Sequence, residues 1–122
     1  PSNVCLGVTV ENKQQGLPRI DKLRNLHASV LFLSVEPLLE DLGKINLENI
    51  DWVIVGGESG NQARPMEKEW VVNIKQQCET LGIAFFFKQW GTWGEDKVKR
   101  YKKSNGKELD GEIWQQYPEI TE

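Results

Sequence analysis

The sequence predicts an α/β fold: a partial (β/α) barrel, or an open parallel sheet of about four strands with helices on one face, plus a small C-terminal β-hairpin. Three observations predict it. Four short apolar runs alternate along the chain with segments of helical periodicity, which is typical of strands joined by crossovers. The strands have one aliphatic face and one small or polar face. The tail contains Asn105-Gly106, a strong hairpin-turn signal.

The four predicted strands are rich in β-branched and aromatic residues. They cover residues 4–10, 30–35, 52–55 and 83–87. In the tail, the two residues of an Asn-Gly turn tolerate the positive φ angles that a tight hairpin needs. We therefore expect a hairpin centred on Asn105-Gly106, followed by a short terminal segment.

Two helices are predicted between the strands. Residues 17–26 repeat leucine or isoleucine at spacings near three, and residues 67–81 carry an apolar stripe at helical spacing. Gly82 is well placed to end the second helix. Residues 38–50 form either a short helix or a turn.

The two faces of the first strand illustrate why a barrel is favoured over a flavodoxin-like sheet. Leu6 and Val8 share one face, whereas Gly7 and Thr9 share the other. In the second and third strands the face opposite the aliphatic one becomes small or polar toward its carboxyl end and is followed by a glutamate. A doubly wound sheet is covered on both faces and should be apolar on both. A barrel interior or a cleft accepts small and polar residues near its mouth.

Three glutamates, Glu11, Glu36 and Glu58, follow successive strands in the same phase, and Lys88 and Gln89 end the fourth. Sites in parallel α/β proteins gather at the carboxyl ends of the strands. These side chains therefore predict a cleft that binds a small molecule, although strand ends are also polar simply because they meet water. The candidate substrate- or cofactor-lining residues are Glu11, Asn12, Glu36, Gly56, Gly57, Glu58, Ser59, Gly60, Arg64, Lys88 and Gln89.

Residues 56–60 (GGESG) form either a ligand loop or a plain tight turn. Exposed amide groups in such a loop could hold a phosphate or a carboxylate, although the loop is neither a Walker motif nor a dinucleotide fingerprint. Arg64 could bind an anion or pair with Glu58. Three glutamates could also bind a hard cation such as magnesium, but the sequence does not give their geometry and no metal site is predicted.

Composition fits one domain, residues 1–122, with β/α units over 1–95 and the hairpin and tail over 96–122. The net charge of −3 makes nucleic acid an unlikely partner. No apolar run is long enough to span a membrane, and no signal peptide is visible. The chain begins at Pro1 and its only methionine is Met66, so we expect a piece of a longer protein.

The two cysteines, Cys5 and Cys78, match no metal spacing and are expected to be buried thiols in a reducing compartment. That expectation places the protein in the cytoplasm. His27, the single histidine, has no serine or cysteine partner pattern around it.

Six phrases together resemble the C-terminal half of an uncharacterised phage and prophage family, the gene-product thirty-seven/sixty-eight family. They are residues 6–12 (LGVTVEN), 34–39 (SVEPLL), 51–60 (DWVIVGGESG), 63–66 (ARPM), 85–91 (FFFKQWG) and 109–111 (LDG). The family is similar to radical S-adenosylmethionine enzymes, whose N-terminal half carries a three-cysteine motif for an iron–sulfur cluster. The resemblance implies that Glu11, Glu36, Glu58 and Lys88 line the mouth of the parent's partial barrel.

The resemblance also implies that this chain holds no cofactor and is not active alone, because a cluster needs grouped thiolates. S-adenosylmethionine and the cluster would belong to the full-length parent, and the missing N-terminal half would be this chain's partner. The alternative is a non-enzymatic phage-derived binding or assembly module. Such a module could form a homodimer through an open sheet edge.

Overall fold

The computed structural model describes residues 4–119 and contains six strands and three helices in that range. The predicted α/β class, with a four-stranded parallel sheet and a separate C-terminal hairpin, is confirmed. Residues 120–122 of the predicted tail lie outside the described residues. The elements are β1 (Cys5–Thr9), α1 (Lys13–Leu23), β2 (Val30–Val35), β3 (Trp52–Gly56), α2 (Lys68–Leu81), β4 (Ala84–Gln89), α3 (Lys102–Asn105), β5 (Glu108–Leu109) and β6 (Glu112–Ile113).

The large sheet has the order β1-β2-β3-β4, and every neighbouring pair is parallel. Leu33 is the central register position, lying between Val8 of β1 and Val53 of β3. Each strand thus lies beside the one that precedes it in the sequence, and the order of the strands never doubles back across the sheet. That winding is the order found in (β/α) barrels, whereas doubly wound sheets reverse at a switch point.

The core lies on the aliphatic face of this sheet, under the two longer helices. Removing apolar area from water drives this packing, at roughly 25 cal/mol per Å². Ile20 and Leu23 of α1 and Val71 and Ile74 of α2 are buried there. Strand residues buried in the same core are Leu31, Leu33, Val35, Val53, Val55, Phe85 and Phe87.

The connection from β2 to β3 contains no helix, so of the two alternatives for residues 38–50, a short helix or a turn, the helix is absent. It nevertheless buries five apolar side chains in the same core. The Gln77 side chain of α2 fixes this segment, since its amide donates to the Gly43 carbonyl at 2.8 Å and its oxygen accepts from the Ile45 N–H at 2.8 Å. The five buried side chains are Leu38, Leu42, Ile45, Leu47 and Ile50.

The first helix begins and ends earlier than residues 17–26. Asn12 caps α1 by accepting a hydrogen bond from the Gln15 N–H at 3.0 Å, which places the helix start at Lys13. Leu26 lies beyond the helix and is exposed. The second helix matches its prediction within one residue and ends at Gly82.

The hairpin is present, but its predicted turn was wrong. Asn105 ends the short helix α3, and the turn between β5 and β6 is Asp110-Gly111. Both turn residues have positive φ, 53° and 79°, as a tight turn between paired strands requires. Asn105 instead donates through its side chain to the carbonyls of Gly91 and Thr92, both at 2.8 Å.

The two edges of the large sheet differ. The segment after β6 runs antiparallel beside β4, because the Phe87 N–H donates to the Trp114 carbonyl at 2.6 Å and the Gln116 N–H donates to the Phe85 carbonyl at 3.0 Å. Within residues 4–119, no strand pairs with the outer edge of β1. The sheet is therefore capped at β4 and open at β1.

The prediction that both cysteines are buried was half wrong. Cys78, a residue of α2, is buried, whereas Cys5 is exposed. Cys5 has the phase of Gly7 and Thr9, so it lies on the open face of the sheet instead of the helix-covered one. None of the helices among residues 4–119 has both the length and the apolar character needed to cross a membrane.

Candidate functional site

The carboxyl edge of the open sheet face carries one compact polar group, which we call the Glu36 cluster: Glu36, Lys88 and Gln89. The Gln89 side-chain amide donates to one Glu36 oxygen at 2.9 Å, and the Lys88 ammonium lies 3.4 Å from the other. The side chains of Glu36 and Lys88 remain 25% and 55% exposed. The cluster therefore presents a carboxylate and an ammonium side by side to solvent.

A β-bulge explains how two consecutive residues of β4 reach the same carboxylate. Phe87 pairs with Val55, but the register shifts after Val55, so Gly56 pairs with Gln89. Consecutive side chains of a regular strand point to opposite faces, and a bulge changes the direction of one of them. Lys88 and Gln89 can thus both approach Glu36.

Two glycines allow the chains to approach closely beneath the cluster. A Cβ atom on Gly56 would lie 2.9 Å from the Gln89 amide nitrogen and 3.2 Å from a Glu36 oxygen. A Cβ atom on Gly57 would lie only 1.9 Å from the Trp90 carbonyl oxygen. Glycine is therefore required at position 57 for packing between the strand ends, whereas Gly56 faces side-chain ends that can shift.

Glu58 and Arg64 form the second polar pair at this edge. Glu58 accepts from the Arg64 backbone N–H at 2.9 Å and from two guanidinium nitrogens at 3.0 Å each. These side-chain and backbone hydrogen bonds lower the pKa of the Glu58 carboxyl, with a smaller effect of the Arg64 charge. The predicted Glu58–Arg64 pairing is confirmed, so the main role of Glu58 in the structure is to hold the loop that follows β3.

Glu11 lies close enough to Arg64 for its negative charge to stabilise the charged guanidinium. The pKa of Arg64 is raised first by its hydrogen bond to Glu58, then by the Glu58 charge, with a further contribution from the charge of Glu11. Its neighbour Asn12 is occupied as the cap of α1. Among the described residues, no three Asp, Glu, His or Cys side chains converge in a group that could hold a metal ion.

Ser59 and Gly60 are exposed and extend the edge toward the segment after β4. The Gly60 N–H donates to the Thr92 hydroxyl at 2.9 Å, and that hydroxyl donates to the Gly60 carbonyl at 3.3 Å. Sequence reasoning missed Thr92 and Asn105, which together fix this region. A lone threonine after a glycine gave no signal, and Asn105 was assigned to a turn.

The two cysteines of the chain do not fit an iron–sulfur cluster. Cys5 is on the exposed face of β1, and Cys78 is buried on α2 with its pKa raised to about 12 by burial. A cluster is held by thiolates grouped around it. The chain's own donor set at the carboxyl edge is instead carboxylate, amide, ammonium and guanidinium, which suits a charged organic ligand.

The fold and this edge define a class of protein: a singly wound parallel α/β protein with a polar group at the carboxyl ends of its strands. The chain belongs to the family described as "Protein of unknown function (DUF5131)", whose model matches residues 1–118. No curated protein and no solved structure matches the chain.

Proposed function

We propose that this chain is the substrate- and cofactor-lining half of a radical S-adenosylmethionine-like enzyme, with its site at the carboxyl edge of the sheet. The observation that carries the proposal is the Glu36 cluster, a matched carboxylate and ammonium on the open face of a parallel sheet. Sites in parallel α/β proteins lie at this edge. The likeness to radical enzymes comes from the sequence phrases around Glu11, Glu36, Glu58 and Lys88.

The Glu36 cluster has the charges that the amino-acid end of S-adenosylmethionine would need. The Glu36 carboxylate can accept hydrogen bonds from an α-ammonium group, and the Lys88 ammonium can pair with an α-carboxylate. Binding would exchange the Glu36–Lys88 contact for two contacts to the ligand. Gly56, which has no side chain, lets the Glu36 and Gln89 side chains pack against its backbone.

The radical would be supplied by an iron–sulfur cluster together with S-adenosylmethionine, and this chain has no grouped thiolates to hold that cluster. A second protein segment would therefore be required, and the exposed edge of β1 is available to receive it. The part assigned to this chain is to bind and orient the ligand. On this proposal the chain alone binds the ligand and catalyses nothing.

The test is a titration of the isotope-labelled chain with S-adenosylmethionine, followed through the amide signals of Gly56, Gly57 and Gln89. We expect these signals to move, and Glu36→Gln to weaken binding about tenfold through loss of one charge-assisted contact. Glu48→Gln is the matched control, because Glu48 is exposed and its side chain makes no hydrogen bond or ion pair within the described chain.

Unmoved amide signals at saturating S-adenosylmethionine would reject this chain as the binding half. Equal weakening by Glu36→Gln and Glu48→Gln would reject the Glu36 cluster as the site. Radical chemistry is tested separately on the full-length parent, which we expect to be brown and to contain iron after purification without oxygen. A colourless, iron-free parent contradicts the radical part of the proposal and leaves ligand binding to be judged by the titration.

A second candidate function is a non-enzymatic assembly module, which the open edge of β1 favours. Exposed N–H and C=O groups along a strand edge can pair with another chain. Light scattering of the purified chain tests this candidate. A stable dimer that loses self-association when Thr9, an exposed residue of β1, is replaced by proline would favour the module; a monomer at all concentrations would count against it.

A further inference from the structure

A groove of about 520 Å³ lies between the segments that follow β3 and β4, the strands that end at the carboxyl edge of the sheet. One wall is the loop of Ser59, Gly60 and Asn61, and the other is the segment from Lys99 to Lys102, with Thr92 between them. This volume lies within the range of roughly 300–1,000 Å³ typical of small-molecule sites. The two Gly60–Thr92 hydrogen bonds hold the walls together.

The groove is lined by three basic residues, Lys99, Arg100 and Lys102, and by no acidic one. Residues 97–107 contain six basic residues and no acidic one, whereas the whole chain has a net charge of −3. Two of the six are neutralised: Lys97 pairs with Glu67 at 2.7 Å, and Arg100 pairs with Asp96. Lys99 is over the Trp93 ring, 5.5 Å from its centre, and its charge remains unpaired.

Several groups that line the groove have no partner inside the described chain. The side chains of Ser59, Asn61 and Lys102 make no hydrogen bond or ion pair there. Tyr101 is 89% exposed and contacts no other aromatic ring among the described residues. The groove therefore combines free cations, free hydroxyl and amide groups, and an aromatic ring.

We propose that this groove binds a nucleotide unit, with its phosphate between Lys99, Lys102 and the Ser59 hydroxyl and its base stacked on Tyr101. Ammonium and hydroxyl groups are the usual partners of phosphate, and exposed aromatic rings stack on nucleobases. The inference rests on the proposed function, and it names the class of substrate as a phosphorylated nucleoside that is bound in this groove. A free nucleotide and a single strand carry the same phosphate and base, and the choice of probes distinguishes the two sources.

The test is a titration of the labelled chain with adenosine monophosphate, a short single-stranded oligonucleotide and inorganic phosphate, read at the amides of Gly60, Asn61 and Thr92. We expect both nucleotide probes to move these signals, and inorganic phosphate to bind at least tenfold more weakly because it lacks a base. Tighter binding of the oligonucleotide identifies a strand as the source, and equal binding identifies the free nucleotide.

Two variants locate the site. Lys102→Glu should weaken nucleotide binding about tenfold by reversing one contacting charge, and Tyr101→Ala should remove the preference for nucleotides over phosphate. Both side chains are exposed and unpacked, so thermal unfolding should be unchanged. Lys22→Glu is the control for overall charge, because Lys22 is exposed near the end of α1, at the amino ends of the strands and opposite the carboxyl edge.

Unmoved groove signals with both nucleotide probes would overturn the inference, as would equal weakening by Lys102→Glu and Lys22→Glu. The two proposals fail separately. Nucleotide binding without any S-adenosylmethionine response at Gly56 and Gln89 rejects the proposed enzyme half and leaves a nucleotide-binding groove. An S-adenosylmethionine response at those residues without nucleotide binding rejects the groove alone.

Discussion

Replacing Gly57 by alanine tests whether the close approach of two strand ends builds the carboxyl edge. The added Cβ atom would lie 1.9 Å from the Trp90 carbonyl oxygen and 2.9 Å from its carbon. Both atoms belong to the backbone, so no side chain can rotate away. The contact is about 1.5 Å closer than ordinary van der Waals separation, and the strand ends must move apart to relieve it.

The cost can be worked from the structure. Overpacking in a tight region costs about 1–3 kcal/mol. Separating the strand ends also breaks the hydrogen bond from the Gly57 N–H to the Gln89 carbonyl, 3.0 Å long, and a bond of this kind contributes about 1 kcal/mol. We therefore expect Gly57→Ala to lower the free energy of unfolding by about 2–4 kcal/mol.

Gly56→Ala is the matched control, because neither glycine has a positive φ angle. Its Cβ atom would meet only the side-chain ends of Gln89 and Glu36, at 2.9 to 3.2 Å, and these can shift. The expected loss of stability is below about 1 kcal/mol, while the Gln89 side-chain amide signal should move. Urea unfolding gives both free energies. Equal losses for the two variants, or a loss under about 0.5 kcal/mol for Gly57→Ala, would refute this reasoning.

Three further predictions concern titratable groups. Iodoacetamide should label one thiol of the native chain, Cys5, and both thiols in urea, because Cys78 is fully buried; two labels in the native chain would contradict the burial. Burial raises the pKa of Cys78 from 9.0 to about 12, so unfolding releases a proton between those two pH values. Stability should therefore fall as the pH rises from 9 toward 12, by up to about 1.4 kcal/mol per pH unit. Cys78→Ala should remove this slope in urea unfolding. Carbon-detected NMR should give Glu58 a pKa below 4.5 that returns toward 4.5 in Arg64→Met. The contribution of the pair to stability is therefore lost as the pH falls below 4.5. An unchanged titration in the variant would exclude Arg64 as the cause.

The sheet could be predicted from the sequence because its signals are periodic. Alternation within β1, β2 and β3 identified the face that the helices cover. It also gave Glu11, Glu36 and Glu58 the same phase, and the parallel direction of the strands places them at the carboxyl edge. The Glu58–Arg64 pair could also be predicted, since only five loop residues separate two opposite charges. The phase of Cys5, shared with Gly7, could have predicted its exposure.

The remaining features depend on pairing between distant segments, which periodicity does not report. The bulge that brings the side chains of Lys88 and Gln89 to the same carboxylate arises where β4 pairs with Gly56. It therefore depends on the register between β3 and β4. Asn105-Gly106 has the composition of a hairpin turn, but Asn105 is recruited by the carbonyls of Gly91 and Thr92. The local preference for a turn is overridden by these two hydrogen bonds, and Asp110-Gly111 forms the turn instead.

The capped edge of β4 limits how copies of this sheet can assemble. Fibres grow when a strand edge that receives one molecule leaves another edge free to receive the next. Here Trp114 and Gln116 already occupy the backbone groups of Phe85 and Phe87. Two molecules that pair through their β1 edges leave only covered β4 edges, so growth through β1 and β4 terminates after a single pairing.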